Sequence, residues 1–331
     1  PLLRASGLGR LLDMPSLLLK DDTRNPSGST KDRASLLVVA KAIEYGCDTV
    51  ATASTGNAAS ALSALAAAAG LRAVVMVPAA APAGKLAQML SYGATVLPVD
   101  GSYDDAFELC TAACRRFGWY NRSTALNPFT IEGKKTAALE IAAAMPDGVV
   151  DAVIVPTGDG VILSGLAKGF RDLEAAGLSG KRPRLIAVQP EGSPAIVRAL
   201  EAGTESVEPA QGAASVADSL VVETPRNART CLAEIRASDG GGVLVSEDEI
   251  LHAIPRLASA TGVFAEPAAA ASLAGLERAL EAGLLERDER VVLMISGSGL
   301  KDVAAASKAV AMREPIEPTL EAVEEAMRTE S

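Results

Sequence analysis

Histidine is almost missing from this chain: its 331 residues include one, His252. Zinc sites, serine and cysteine triads and much acid–base chemistry lean on imidazole, so those classes lose their main instrument. His252 sits in SEDEILHAIPRLA, an amphipathic helical pattern in which a surface or half-buried place is the expectation. Aromatic residues make up only 3% of the chain, so its core must be assembled from Ala, Leu and Val. Basic residues are outnumbered, 31 Lys and Arg against 41 Asp and Glu, for a net charge of −10. That balance argues against nucleic acid or an anionic membrane as a partner, without forbidding a locally basic pocket. No apolar run is long enough to cross a membrane; the Ala-rich run 58–71 is too short and ends against Arg72. PLLRASGLGR at the start lacks the order of a secretion signal, so the cytoplasm is the expected location. Of the four cysteines, Cys110 and Cys114 stand one helical turn apart. With no second cluster to complete a metal site, they read as two small apolar residues on one helix face, and no metal is expected. Any enzyme of this composition must work with Lys, carboxylates, hydroxyls or a cofactor.

What is present points to a globular α/β chain, with a 49% hydrophobic and 22% charged composition and length enough for two domains. Short β-rich runs alternate with helical ones, which predicts largely parallel, twisted sheets flanked by helices. Strands are expected at 49–53, 72–77, 95–99, 152–155, 184–189 and 290–295. Helices are expected at 32–45, 58–69, 85–92, 103–117, 131–144, 164–176, 247–261 and 267–281, with a connecting loop at 201–217 and a polar helix after Pro315. Three strand ends run into glycine-rich turns: Ser54-Thr55-Gly56-Asn57, Thr157-Gly158-Asp159-Gly160 and Ser296-Gly297-Ser298-Gly299. Ligands of open α/β sheets collect at such carboxyl ends, so the three loops predict one shared pocket.

Each motif has a plain reading and a chemical one. NPSGSTKDR at 25–33 is a turn leading into an apolar helix, with Ser29 or Thr30 available as a cap. In the plain reading KDR is solvated. Against that, Lys31 in a first helical turn is at the wrong end of the helix dipole, and the same position lowers a lysine's pKa, as a Schiff-base nucleophile requires. Gly158-Asp159-Gly160 opening a helix can cradle a phosphate on backbone N–H groups, or be merely a tight turn. It lacks the third small residue of a dinucleotide fingerprint, since Leu163 stands there, and Gly133-Lys134-Lys135 has Pro128 where a Walker loop needs glycine. The 296–299 segment does not fit the G-x-S-x-G frame of a nucleophile elbow.

Taken in order, Pro1-Leu2-Leu3, NPSGSTKDR, ASTGN (53–57), GKLAQ (84–88), NPFTIEGKKT (127–136), EPAAA (266–270) and SGSGLKD (296–302) resemble the threonine synthase family of fold-type-II, tryptophan synthase β-like enzymes that use pyridoxal 5'-phosphate. The resemblance implies a two-domain chain: a smaller α/β domain at 34–126, and 1–33 plus 127–331 as the larger cofactor-binding domain. It implies that Lys31 carries the cofactor as a Schiff base and shuttles the Cα proton. Asn57 would bond the cofactor's 3'-oxygen, the loop Gly158, Asp159, Gly160, Val161 and Ile162 would hold its phosphate, and Ser296 would face the ring nitrogen. Ser54, Thr55, Gly56 and Asn57 would hold the substrate carboxylate. A neutral hydroxyl at the ring nitrogen suits elimination and replacement, and such a cofactor explains a catalyst nearly without histidine.

Two segments depart from the family. Its phosphate loop reads Gly-Asn-Ala-Gly-Asn, so Asp159 repels the phosphate unless its side chain points away or caps the helix. Its Asn-Ser-Val-Asn-Pro-x-Arg stretch, which helps bind the substrate's phosphate, has Thr130 in place of the arginine; Arg122, Lys85 and Lys134 are the candidate replacements. The expected reaction is O-phosphohomoserine plus water to threonine and phosphate. The alternatives are a serine or threonine dehydratase or a β-replacement enzyme, and, from another class, a non-catalytic ligand-binding protein. The expected partner is a small amino acid, phosphorylated or not, and the expected assembly a homodimer.

Overall fold

The computed structural model describes residues 1–81, 83–124, 126–145 and 150–328, with the side chains of 83–85 outside the description. Lys85 therefore lies outside the described side chains, and Ala125 outside the described residues.

Two sheets organise the described residues. The larger has the order β1 (Leu2–Arg4), β2 (Leu18–Asp21), β10 (Val291–Ile295), β7 (Ala152–Pro156), β8 (Arg184–Pro190) and β9 (Gly241–Val245). The smaller has the order β5 (Thr95–Val99), β4 (Arg72–Pro78), β3 (Thr49–Ala53) and β6 (Tyr120–Asn121). All neighbours pair in parallel except β1 with β2. β7 and β10 are buried at every position, which is why they read as unbroken apolar runs rather than alternating ones.

Small side chains replace aromatics as the means of close packing. The helix Pro267–Glu281 buries nearly its whole first three turns, mostly Ala, against β7, β8 and β10. A Cβ on its Gly275 would overlap Val188 of β8, so only glycine allows this approach. Cys110 and Cys114 are both buried on one face of the helix Tyr103–Phe117, and His252 is exposed on the helix Glu247–Thr261. Among the described residues no helix is long and apolar enough to cross a membrane.

Three differences from the sequence expectations have local causes. The helix expected at 131–144 is two, Phe129–Lys134 and Thr136–Ala144, with the Thr136 hydroxyl donating to the Gly133 carbonyl at 2.8 Å across the junction. β2 escaped notice because it buries Lys20 and Asp21, charges that argue against an inner strand. β9 escaped because it opens on glycines; Gly242 packs under Val197 and Leu200, where a Cβ would sit 3.0 Å from Val197. The short elements β1, β6 and the helices Ser6–Leu12, Ala195–Glu201 and Ala228–Ala237 were likewise not expected.

Candidate active site

The turn before the helix Lys31–Glu44 is stitched to the loop after β10. Thr30 N–H donates to the Ser296 carbonyl at 2.8 Å, Ser298 N–H to the Gly28 carbonyl at 2.9 Å, and Gly28 takes a φ of +84°. Lys31 is thereby fixed beside Ser296. The KDR segment is not solvated. Asp32, 4% exposed, accepts from Ser27 N–H and Oγ at 3.0 and 2.9 Å. Arg33 donates to Asp22 at 2.7 Å from both Nε and Nη2, and to Glu140 at 2.7–2.8 Å. Lys20 closes that quartet on Asp22 and Glu140 at 3.0 and 2.9 Å. The first turn of the lysine's helix is thus clamped to β2 and to the helix Thr136–Ala144.

Two adjoining cavities meet at Ser219, Glu266 and Ala268. The inner one, about 90 Å³, is lined by Lys31, Ser296, the whole 158–162 loop, Thr124 and Lys134. The outer one, about 520 Å³, is lined by Thr55, Gly56, Asn57, Ser27 and Lys301 among others. The larger space is therefore the open approach, and the amine stands in the smaller one behind it. Burial lowers the Lys31 pKa and Arg122 adds to the effect, with Glu266 and Asp159 acting against it.

The 158–162 loop turns off β7 into the helix Val161–Ala175. Gly160 has φ +83°, and a Cβ there would sit 2.6 Å from the Cys231 Cβ. It supplies no side-chain cap, so the first N–H groups of the helix keep their affinity for an anion. Asp159, the loop's departure from the family, accepts from the Arg226 N–H at 3.1 Å. One oxygen of its carboxylate is engaged there, while the residue still lines the inner cavity and its charge acts on Lys31 and Lys134.

Other expected residues fall in different places. Ser54 lines neither cavity; its Oγ accepts from Gly56 N–H at 3.2 Å and so holds the loop. Thr130 is fully buried, with its hydroxyl on the Asn127 and Thr124 carbonyls at 2.8 and 3.3 Å, and it too lines neither cavity. Arg122, 1% exposed, donates through Nε to Ser35 at 3.2 Å and through Nη1 to Thr124 at 2.8 Å, while its Nη2 has no partner among the described residues. Burial lowers its pKa to about 10.

Two further residues belong to the site, one with no role expected from the sequence and one expected only as a candidate replacement for the missing arginine. Glu266, buried at the start of the helix Pro267–Glu281, accepts from Asn57 Nδ2 on both oxygens at 3.0 Å. Burial raises its pKa against the opposing influence of Asn57, Lys31 and Lys301. A Cβ on Gly297 would overlap the Glu266 carboxylate, which explains glycine after Ser296. Lys134 is the other; it was visible only as a cation near the missing arginine. The EPAAA motif was the available signal for Glu266.

Comparison with known proteins bears directly on this geometry. The sequence profile of the family described as "Pyridoxal-phosphate dependent enzyme" matches residues 1–297. The threonine synthase of Methanosarcina acetivorans is 37% identical over 303 residues, 91% of this chain and 75% of that protein. The threonine synthase of Methanocaldococcus jannaschii is 37% identical over 317 residues, 96% of this chain and 78% of that protein. Among solved structures, a fungal L-serine ammonia-lyase from Rhizomucor miehei superposes with a TM-score of 0.81 at 21% identity, covering 93% of this chain and 96% of that one. At that identity the last likeness speaks for the fold, which is fold type II. Together these place the chain in the threonine synthase family of pyridoxal-phosphate-dependent lyases.

Proposed function

We propose that this enzyme converts O-phosphohomoserine and water to threonine and phosphate, with Lys31 as its catalytic amine. Pyridoxal phosphate is the family's cofactor, and the residues present fit it: an amine at 31, a hydroxyl at 296 and a glycine-rich turn at 158–160, all lining the inner cavity, with the uncapped start of the helix Val161–Ala175 behind that turn. When bound, it supplies an electron sink for negative charge at the carbon bearing the amino group.

The chain's own residues supply the rest. Lys31 Nζ, held below the ordinary lysine pKa by burial, is an amine able to hold the cofactor's carbonyl carbon. It is also a base able to take a proton from the substrate's Cα and return it. Glu266 fixes the amide of Asn57 at the mouth of the inner cavity. The Thr55 and Gly56 backbone beside it faces the outer cavity, where a carboxylate would sit. Ser296 presents a hydroxyl that forces no charge on a ring nitrogen.

The observation that carries the choice of a phosphorylated substrate is Arg122: a guanidinium buried with one nitrogen unpartnered among the described residues, its Nη1 on the Thr124 that lines the inner cavity. A buried unpaired donor of this kind is costly unless an anion completes it. Thr130, committed to backbone carbonyls, leaves that work to Arg122.

An activity panel on phosphohomoserine, O-phosphoserine, serine and threonine, following phosphate and keto-acid release, tests the proposal. Stoichiometric phosphate and threonine from phosphohomoserine is the expected result. Keto acid from serine or threonine, with no turnover of phosphohomoserine, would make the enzyme a dehydratase instead. Arg122→Met should raise KM for phosphohomoserine roughly ten- to a hundredfold while cofactor absorbance is kept.

A further inference from the structure

We propose that Lys134 is the counter-cation of the cofactor's phosphate, a side-chain ligand added to the backbone cradle of the 158–162 loop. The proposal rests on reading that loop as the phosphate site.

The placement is geometric. Lys134 is 3% exposed and lines the inner cavity together with Lys31 and all five residues of the loop. Its Cβ lies against Gly165, in the second turn of the helix that the loop opens. A Cβ on Gly165 would sit 2.6 Å from the Lys134 Cβ and 3.3 Å from the Ile131 carbonyl oxygen, so glycine at 165 is what lets the two helices close. From there a lysine stem spans about one helical turn, roughly 5.4 Å, which is the distance back to the helix N-terminus. A helix N-terminus favours anions and disfavours an ammonium. Among the described residues Lys134 has no hydrogen-bond partner and no ion pair.

Its neighbours show how unusual that is. Lys135 is paired with Glu132 at 2.8 Å and Asp172 at 2.9 Å, and Lys168 with the same two carboxylates at 3.1 Å. Lys20, equally buried, has Asp22 and Glu140. The groups acting on Lys134 are two cations, Lys31 and Arg122, and one carboxylate, Asp159, which is engaged by the Arg226 N–H. Glu266 across the cavity is engaged by Asn57. A cation in this position is unfavourable until a dianion joins it.

Proton linkage follows. Burial, with Lys31 and Arg122 adding to it, holds the Lys134 pKa well below the ordinary 10.5. A phosphate dianion at the loop favours the charged form and raises the Lys134 pKa again, so phosphate binding takes up a proton at pH values between the lowered and the restored pKa.

Apoprotein titrated with pyridoxal phosphate and with pyridoxal, which lacks the phosphate, tests this by absorbance. Lys134→Met keeps the stem against Gly165 and removes the charge; Lys134→Gln is the second variant, and circular dichroism verifies folding of both. The expected result is a roughly ten- to hundredfold weaker Kd for pyridoxal phosphate, with pyridoxal unaffected. Calorimetry in two buffers of different ionisation enthalpy should show proton uptake by the wild type that is lost in both variants. Unchanged affinity for pyridoxal phosphate, or an equal loss for pyridoxal, overturns the proposal. So does an unchanged Kd with a raised KM for phosphohomoserine, which would give Lys134 to the substrate. If the wild type itself binds pyridoxal as tightly as pyridoxal phosphate, the loop is not a phosphate site and the underlying reading fails, whatever the variants do.

Discussion

Two groups of buried charge lie within a few residues of each other, and they are built on opposite plans. Lys20, Asp22, Arg33 and Glu140 form a closed set in which each cation meets two carboxylates. Lys31, Arg122 and Lys134 form an open set: Lys31 and Arg122 act on Lys134, and Arg122 acts on Lys31. The carboxylates that oppose them, Asp159 for the two lysines, Glu266 for Lys31 and Asp32 for Arg122, act without a direct ion pair among the described residues. The closed set clamps Lys31's helix in place. The open set carries an electrostatic deficit that a bound anion removes, which is the signature of a ligand site rather than of a structural one.

The comparison breaks most severely at Lys31. Lys31→Ala should lower kcat by at least about a thousandfold, the scale of losing a positioned proton-transfer group and nucleophile. Borohydride reduction followed by mass spectrometry should find the cofactor on Lys31 in the wild type; an adduct on Lys134 would reverse the roles of the two lysines.

Next in size is the closed set. Arg33→Ala leaves Asp22 buried without its main partner and should cost about 3–5 kcal/mol in chemical denaturation. A loss within experimental error would mean that the quartet is not what holds the helix start.

The open set should respond with the opposite sign. Removing an unpaired buried cation relieves the apoprotein, so Lys134→Met should raise apo stability by roughly 0.5–2 kcal/mol, with that gain shrinking or reversing once cofactor is added. A destabilised apoprotein would show Lys134 to be a structural residue.

The smallest effect is in pH dependence, and the two sets again differ in sign. Arg33 and Lys20 hold Glu140 at about 2, below the ordinary 4.5. Its contribution is present above 4.5 and is lost as pH falls toward 2; since Glu140 is half exposed, solvent screens it. Glu140→Gln should flatten that acid limb. Lys134 is depressed instead, so between its lowered value and 10.5 the unfolded chain binds the extra proton, and apoprotein stability should rise with pH. A Lys134→Met apoprotein should lose that rise, as thermal scans across the alkaline range would show.

Much of this was legible in the chain. The helices at 103–117, 247–261 and 267–281 and the strands at 49–53 and 95–99 were read with their observed bounds, because their apolar periodicity is strong and their ends carry caps or prolines. The three glycine-rich turns stood out as strand-to-helix junctions, and the structure sets all three around the adjoining cavities. β2 and β9 were illegible because buried charge and paired glycines contradict the local signal for a strand, and only their partners, Asp22 and Glu140 for Lys20, Arg24 for Asp21, and Val197 with Leu200 for Gly242, resolve the contradiction.

Lys134 and Lys135 mark the limit most clearly. Sequence alone determined that two adjacent lysines stand early in an expected helix at 131–144, just after the segment resembling the family's substrate-phosphate stretch. It could not distinguish them, since they are the same residue one position apart. Tertiary packing decided: one faces Glu132 and Asp172 on the outer side of the helix pair. The other is drawn inward along a glycine at 165, to a helix end where no carboxylate pairs with it among the described residues. Whether a buried charge is structural or awaits a ligand depends on what stands opposite it, and the chain brings that group from residues far away in sequence.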